Sequence, residues 1–132
     1  MQTKLVSAAA LIDRDGRVLL AERPAGKHLA GTWEFPGGKV EAGERPETAL
    51  IRELEEELGI ETRESCLSPI AFARHDYEDF HLVLLVFACR KWSGQPRGRE
   101  GQALRWAWPH EMFALNMPPA DRPLIGLLDA LI

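Results

Sequence analysis

One glutamate-rich segment, Gly38 to Ile60, constrains the fold of this chain more than any other part of it. Pro46 suits the first turn of a helix, Glu47 complements the positive end of that helix, and Gly59 supplies the left-handed residue that ends it. The segment therefore predicts a helix from about Pro46 to Leu58, with irregular backbone before it.

The two faces of this helix carry different chemistry. Its apolar stripe consists of Leu50, Ile51, Leu54 and Leu58. Glu53, Glu56 and Glu57 cluster on the adjacent face, where like charges cost about 0.2–0.5 kcal/mol per pair, and Arg52 offsets only part of that repulsion. A glutamate-rich face is often simply solvated. A divalent cation such as Mg²⁺, which takes oxygen ligands, is the other way to neutralise it.

The surroundings of the helix favour the metal site over the solvated face. Gly37 and Gly38 lack a Cβ and permit a substrate phosphate to approach closely, and a further acid, Glu44, stands at the junction of loop and helix. By the same helical geometry Glu55 points away from the acidic cluster and is expected to be only solvated.

The rest of the chain alternates apolar runs with turn signals. Leu5–Ile12 and Val18–Ala21 flank an Asp-Gly turn and predict a β-hairpin, and Pro36-Gly37-Gly38 is expected to break the chain. Further strands are predicted at 33–35, 67–73, 81–89 and 103–108, and a terminal helix at 118–132. This order predicts one domain over residues 1–132, an α+β fold with a mixed β-sheet sandwiched between α-helices.

Charge and cysteine content limit the partners and the compartment. The 16 basic and 20 acidic residues give a net charge of -4, so no long nucleic acid is expected as a partner, whereas a small phosphate ligand remains compatible when a metal supplies positive charge. The two cysteines form no metal-binding pair, and no apolar run is long enough for a membrane span, so a reducing cytoplasm is expected.

The spacing of Gly38, Glu44 and the run Arg52-Glu53-Leu54-Glu55-Glu56-Glu57-Leu58-Gly59-Ile60 resembles the Nudix box at every defined position. The resemblance extends to residues 34–39 and 118–121, so nearly the whole chain resembles the MutT branch of the Nudix hydrolases. It implies the Nudix fold and hydrolysis of nucleoside triphosphates to the monophosphate and pyrophosphate, with Mg²⁺ as cofactor and Mn²⁺ as a substitute.

The resemblance also implies roles for individual residues. Glu53, Glu56 and Glu57 would hold metal, and the backbone carbonyl of Gly38 would add a ligand. Arg52 and Glu44 would orient these carboxylates, and Glu53 is the first choice of general base, although any carboxylate within reach of the water could serve. By alignment, the loop residue Glu100 would contribute to metal binding or act as the base, with simple solvation as the alternative.

Substrate contacts are expected outside the box. Arg23 aligns with an arginine that contacts the nucleotide phosphate, and Lys39 is a further candidate for such a contact. The rings of Trp33 and Phe35 could form a wall for the nucleobase, although aromatic residues on a short strand are core at least as often.

Asp121 aligns with the position that reads the base edge, and capping of the terminal helix is the alternative role for this residue. In MutT-like proteins that recognise 8-oxo-guanine the position is an asparagine, which both donates and accepts hydrogen bonds, whereas an ionised aspartate only accepts. A related branch that acts on CTP and 5-substituted dCTP carries the same Pro-Ala-Asp pattern. A protonated aspartate, however, could replace the asparagine donor.

Three functions follow from these sequence features. The leading hypothesis is a MutT-like enzyme that sanitises the nucleotide pool, with 8-oxo-dGTP as the best candidate substrate and a role in DNA repair and replication. The second hypothesis is a CTP or 5-substituted dCTP pyrophosphohydrolase, and the third is an inactive nucleotide sensor. A monomer is expected, although nothing in the sequence excludes a dimer.

Overall fold

The computed structural model describes all residues from 1 to 132. Its strands are β1 (Gln2–Leu11), β2 (Val18–Glu22), β3 (Trp33–Glu34), β4 (Gly37–Lys39), β5 (Leu67–Asp76), β6 (Phe80–Cys89) and β7 (Leu104–Ala107). Its helices are α1 (Pro46–Leu58), α2 (Pro109–Met112) and α3 (Pro123–Leu131), and a short 3-10 turn covers Glu64–Cys66. None of the helices is both long and apolar enough to cross a membrane.

The strands form two sheets. The larger one has the order β4-β1-β6-β5, in which β1 and β6 run parallel and the other pairs run antiparallel. The smaller one is antiparallel, with the order β3-β2-β7. The predicted mixed sheet is therefore confirmed.

Helices cover both sides of the strands, because alternate residues of β1 and β2 point into two separate cores. On one side Ala9, Leu11 and Leu19 pack against the apolar stripe of α1. On the other side the core includes Ala8, Ala10, Ile12, Val18 and Leu20 together with α2 and α3. This arrangement confirms the sheet sandwiched between helices.

The predicted β-hairpin at the start of the chain is wrong in its pairing. The turn forms, with Gly16 at φ 95°, but only Ile12 and Val18 make a bridge across it. Beyond that bridge β1 pairs with β6 and β2 pairs with β7. Residues 8–11 of β1 and 18–21 of β2 are buried on both faces by the helices, whereas a lone hairpin would leave one face exposed to water.

Helix α1 has the predicted bounds, with Pro46 in its first turn and Gly59 left-handed at φ 70°. The terminal helix begins at Pro123 rather than Pro118, because Pro119 disfavours helical backbone at the residue before it, and residues 118–122 form turns. Residues 37–39 do not break the chain but form β4, which pairs with β1.

Candidate active site

The acidic helix is held against the sheet by its first turn and its apolar face. The hydroxyl of Ser7 on β1 donates to the carbonyl of Pro46 at 2.8 Å. Ala49, Leu50 and Leu54 are fully buried beneath the helix. These contacts fix the position of the adjacent face, which carries the glutamates, beside β4.

Arg52 connects the acids around the helix. Its Nε and Nη2 donate to the two carboxylate oxygens of Glu44 at 3.1 and 2.9 Å, and its Nη1 donates to Glu53 at 2.8 Å. Nη2 also donates to the carbonyl of Lys39 at 3.2 Å. The hydrogen bonds from Arg52 lower the pKa of Glu44, so this pair stays ionised. Arg52 thereby fixes the orientation of Glu53, because its planar guanidinium group offers several donors in a rigid arrangement.

Gly38 lies directly against the carboxylate of Glu53. A Cβ placed on Gly38 would be 2.3 Å from Cδ and 2.6 Å from Oε1 of Glu53. Glycine is therefore required here to make room for this carboxylate, and not to allow a positive φ.

Glu57 is the most perturbed acid of the helix. Its pKa is raised to about 8, chiefly by burial and also by the negative charges of Glu53, Glu100 and Glu34, against the opposing effect of the Gly37 backbone. Burial also raises the pKa of Glu53, against the opposing effect of Arg52. Half-buried, mutually repelling carboxylates with too few positive partners are the donor set that fits a hard divalent cation.

The other two predicted metal ligands lie further out. The Glu56 side chain is 59% exposed, with an oxygen 3.8 Å from Arg52. Glu100 is exposed in a loop that Arg99 and Gln102 attach to backbone carbonyls at the end of α1. In this arrangement no three His, Cys, Asp or Glu side chains already form a metal-binding group. Glu55 is exposed. Helical geometry directs it away from the site, as predicted.

A cavity of about 700 Å³ runs from the helix acids toward the start of α3. Glu53, Glu57 and Gly38 line one end of it, and Phe35 and Asp121 also line it. Arg23 and Lys39 contribute positive charge to its wall. The structure thus brings together in one cavity most of the residues that the sequence assigned to metal, phosphate and base.

Asp121 is buried, and the backbone N–H of Phe35 donates to its Oδ2 at 3.2 Å. Burial raises the pKa of Asp121 to about 8, and the charge of Glu34 raises it too, while the Phe35 N–H and Arg23 lower it. Near neutral pH the neutral acid therefore predominates, and its free oxygen can carry a proton to donate.

Arg23 is held in place by two partners. Its Nε donates to the carbonyl of His28 at 2.6 Å, and its Nη1 donates to both carboxylate oxygens of Glu34 at 3.1 and 3.2 Å. Burial raises the pKa of Glu34, and Arg23 opposes that shift. Glu34 is a site residue that sequence reasoning missed, although it directly precedes Phe35 in the motif.

Trp33 lies outside this cavity. Its ring packs at the edge of the core, with the guanidinium carbon of Arg105 5.8 Å from the ring centroid, and the backbone N–H of Trp33 donates to the carbonyl of Asn116. Of the two aromatic residues proposed for the base, only Phe35 lines the cavity.

Three further rings line the cavity and were not expected there. Tyr77 and Phe80 stack at 4.8 Å between centroids, and His28 meets Tyr77 edge-on at 4.9 Å. The ammonium group of Lys4 lies 4.1 Å above the Phe80 ring. The sequence does not indicate this cluster, because Tyr77 stands alone among the polar and charged residues of 75–79. Its ring direction depends on the pairing of β5 with β6.

A family model described as "NUDIX domain" matches residues 7–127. The 8-oxo-dGTP diphosphatase of Escherichia coli is 38% identical over 131 residues, which cover 97% of this chain and 98% of the relative. The CTP pyrophosphohydrolase of the same organism is 42% identical over 123 residues, which cover 93% of this chain and 90% of the relative.

Solved structures share the fold. The solution structure of the E. coli ORF135 protein superposes with a TM-score of 0.85 at 40% identity, covering 99% of this chain and 91% of that one. The MutT NUDIX hydrolase from Burkholderia pseudomallei has a TM-score of 0.84 at 32% identity, covering 96% of this chain and 98% of that one.

Proposed function

Because this chain belongs to the NUDIX domain family, whose hydrolases generally need a divalent metal, we propose that it is a Mg²⁺-dependent nucleoside triphosphate pyrophosphohydrolase. It converts a nucleoside triphosphate and water to the monophosphate and pyrophosphate. The observation that carries the proposal is the single cavity that joins the half-buried acids of α1 to Asp121. Relatives described as 8-oxo-dGTP diphosphatase and CTP pyrophosphohydrolase support the same chemistry.

Metal would be held by Glu53 and Glu57, which line the cavity, and by the carbonyl of Gly38 beside them. Glu56 and Glu100 would contribute from the rim. When bound, Mg²⁺ supplies positive charge to the phosphate oxygens and acidifies the attacking water. Mn²⁺ prefers similar oxygen ligands and is expected to substitute.

Proton transfer is assigned to Glu53. As the water oxygen bonds to phosphorus and the bridging oxygen leaves with its electron pair, the water proton passes to a carboxylate within reach. Arg52 holds one oxygen of Glu53 at 2.8 Å and leaves the other free to accept that proton. Arg52 is itself held by Glu44, and these two residues act by positioning Glu53.

Arg23 and Lys39 are assigned to the phosphate chain. Both line the cavity, and Arg23 is already fixed by Glu34 and the His28 carbonyl. A guanidinium that is already held in place loses little conformational entropy when it binds a phosphate, which favours this role.

We propose 8-oxo-dGTP as the preferred substrate, with a role in sanitising the nucleotide pool for DNA replication and repair. Support comes from the raised pKa of Asp121: the neutral acid can donate to the purine oxygen while it accepts from the neighbouring ring N–H. The asparagine of related purine readers offers the same pair of groups.

CTP or a 5-substituted dCTP is the second candidate. It is favoured by the aspartate itself, whose oxygens accept a hydrogen bond from the exocyclic amine of cytosine. The 42% identical CTP pyrophosphohydrolase points the same way. A sensor without catalysis is the third candidate, and the complete acidic helix weighs against it.

The substrate is a small molecule, and we propose that residues 1–132 act as one domain and as a monomer. We place the activity in the cytoplasm, where two free cysteines are compatible with a reducing medium.

The test is a nucleotide panel with purified protein, with and without Mg²⁺, in which monophosphate and pyrophosphate are quantified. The expected result is Mg²⁺-dependent turnover with the highest kcat/KM for 8-oxo-dGTP. Turnover of cytidine nucleotides alone would replace the purine assignment by the cytosine one. Tight binding of a nucleotide with no hydrolysis in Mg²⁺ or Mn²⁺ would replace the enzyme by a sensor.

A further inference from the structure

A second cavity of about 710 Å³ lies between the segment that follows α1 and the segment that follows β6. The 3-10 turn at 64–66 forms one side of it, and residues 90–93 form the other. It shares no lining residue with the cavity of the proposed active site. The function proposed above does not use it.

This basic cleft differs in charge from the rest of the molecule. Arg63, Arg90 and Lys91 line it, against a single acid, Glu61, in a protein of net charge -4. The ion pairs of the protein engage Arg17, Arg23, Arg45, Arg52 and His81. The three cations of the cleft therefore have no carboxylate partner. Several unpaired cations around a concave surface attract and concentrate anions.

Hydrogen bonds join the two walls of the cleft. Glu61 and Ser93 exchange backbone hydrogen bonds at 3.0 and 2.8 Å, and the Thr62 hydroxyl donates to the Lys91 carbonyl at 2.8 Å. Ser65 and Ser68 add exposed hydroxyl groups, which can donate to oxyanions. The backbone of the cleft is thus fixed by hydrogen bonds, and exposed guanidinium, ammonium and hydroxyl donors extend from it.

We propose that the basic cleft binds a small phosphate anion. Two guanidinium groups and one ammonium group complement the negative charge of a phosphate and can donate hydrogen bonds to its oxygens. Trp92, half-buried and stacked on Trp106 at 6.3 Å between centroids, adds an aromatic wall. The phosphate could belong to inorganic pyrophosphate or to a nucleoside monophosphate, and the ring would contact only the latter.

Cys66 makes this proposal measurable, because it lines the cleft and is half-buried, whereas Cys89 is buried with its thiol bonded to the Lys91 carbonyl. The rate of Cys66 alkylation is followed by peptide mass spectrometry in EDTA, and the buried Cys89 should stay unmodified as long as the protein is folded. Sodium pyrophosphate or GMP is added at an ionic strength matched with sodium chloride. No catalytic activity is measured, so the outcome is independent of the proposed hydrolase function.

We expect pyrophosphate to slow alkylation of Cys66 in a saturable way. Arg63→Ala combined with Arg90→Ala should raise the half-protecting concentration at least about tenfold, the equivalent of one charged hydrogen bond. Arg14→Ala, an exposed arginine in the β1–β2 turn, should behave as wild type. Stronger protection by GMP would identify a nucleotide as the source of the phosphate. Absence of protection by both anions, or equal protection in the double variant, would overturn the proposal.

Discussion

Replacing Gly38 by alanine tests how closely the proposed active site is built around Glu53. The new Cβ would lie 2.3 Å from Cδ of Glu53, whereas ordinary contacts begin at 3.4 Å, so the carboxylate has to retreat by about 1 Å. A displacement of that size at a reacting group costs about 10²-fold in rate, or about 2.7 kcal/mol of transition-state stabilisation. The fold should lose only about 1 kcal/mol, since a side chain rather than the backbone gives way.

Gly37→Ala is the matched control for this prediction. At Gly37 the new Cβ would lie 2.0 Å from the Ser7 carbonyl oxygen and 2.7 Å from the Ala8 Cα, both backbone atoms of β1. Gly37→Ala should therefore lower the melting temperature strongly, whereas Gly38→Ala should lower kcat and lower the melting temperature by only a few degrees. Thermal unfolding and pyrophosphate release at saturating Mg²⁺ measure the two effects. Wild-type kcat in Gly38→Ala, or equal loss of stability in both variants, would refute the proposed packing.

Three further predictions concern charge. Arg52→Lys keeps the charge but loses the bidentate hydrogen bond to Glu44, so kcat should fall about tenfold or more at unchanged melting temperature. A wild-type rate would show that Arg52 does not position Glu53. If neutral Asp121 donates to the base, turnover of 8-oxo-dGTP should fall as pH rises through about 8, and Asp121→Asn should remove that fall. Identical pH profiles of the wild type and Asp121→Asn would contradict this role. Without metal, the pKa of Glu57 is raised from 4.5 to about 8, so the folded state binds a proton that the unfolded state releases. The stability of the fold should therefore decline as pH rises through that interval. Mg²⁺ should reverse the decline in melting temperature, and a flat pH dependence would count against burial of this acid.

The acidic helix could be predicted from local signals alone. Pro46 and Gly59 mark its ends, and a period of 3.6 residues separates Leu54 from Glu53 and Glu57 on its surface. Glu55 could be set apart from the other glutamates for the same reason. The sequence-based bounds of α1 agree with the structure because nothing outside the helix is needed to define them.

Features that depend on long-range pairing could not be predicted in this way. The local turn signal at Gly16 indicates a reversal of the chain but does not say that β1 then pairs with β6, nearly eighty residues later. The aromatic cluster of Tyr77 and Phe80 and the contact between Asp121 and Phe35 likewise join distant segments. Burial of Asp121, which raises its pKa, exists only in the folded chain.

The most direct test of the central claim, that the half-buried glutamates of α1 bind the catalytic metal, compares Glu57→Gln with Glu55→Gln. Both substitutions remove one negative charge from the same helix, but Glu57 lines the cavity and Glu55 is exposed. With 8-oxo-dGTP and a titration of Mg²⁺, Glu57→Gln should lower kcat by about 10²-fold or more and weaken the Mg²⁺ response, whereas Glu55→Gln should match wild type. A wild-type rate and Mg²⁺ response in Glu57→Gln, or equal losses in both variants, would contradict the claim.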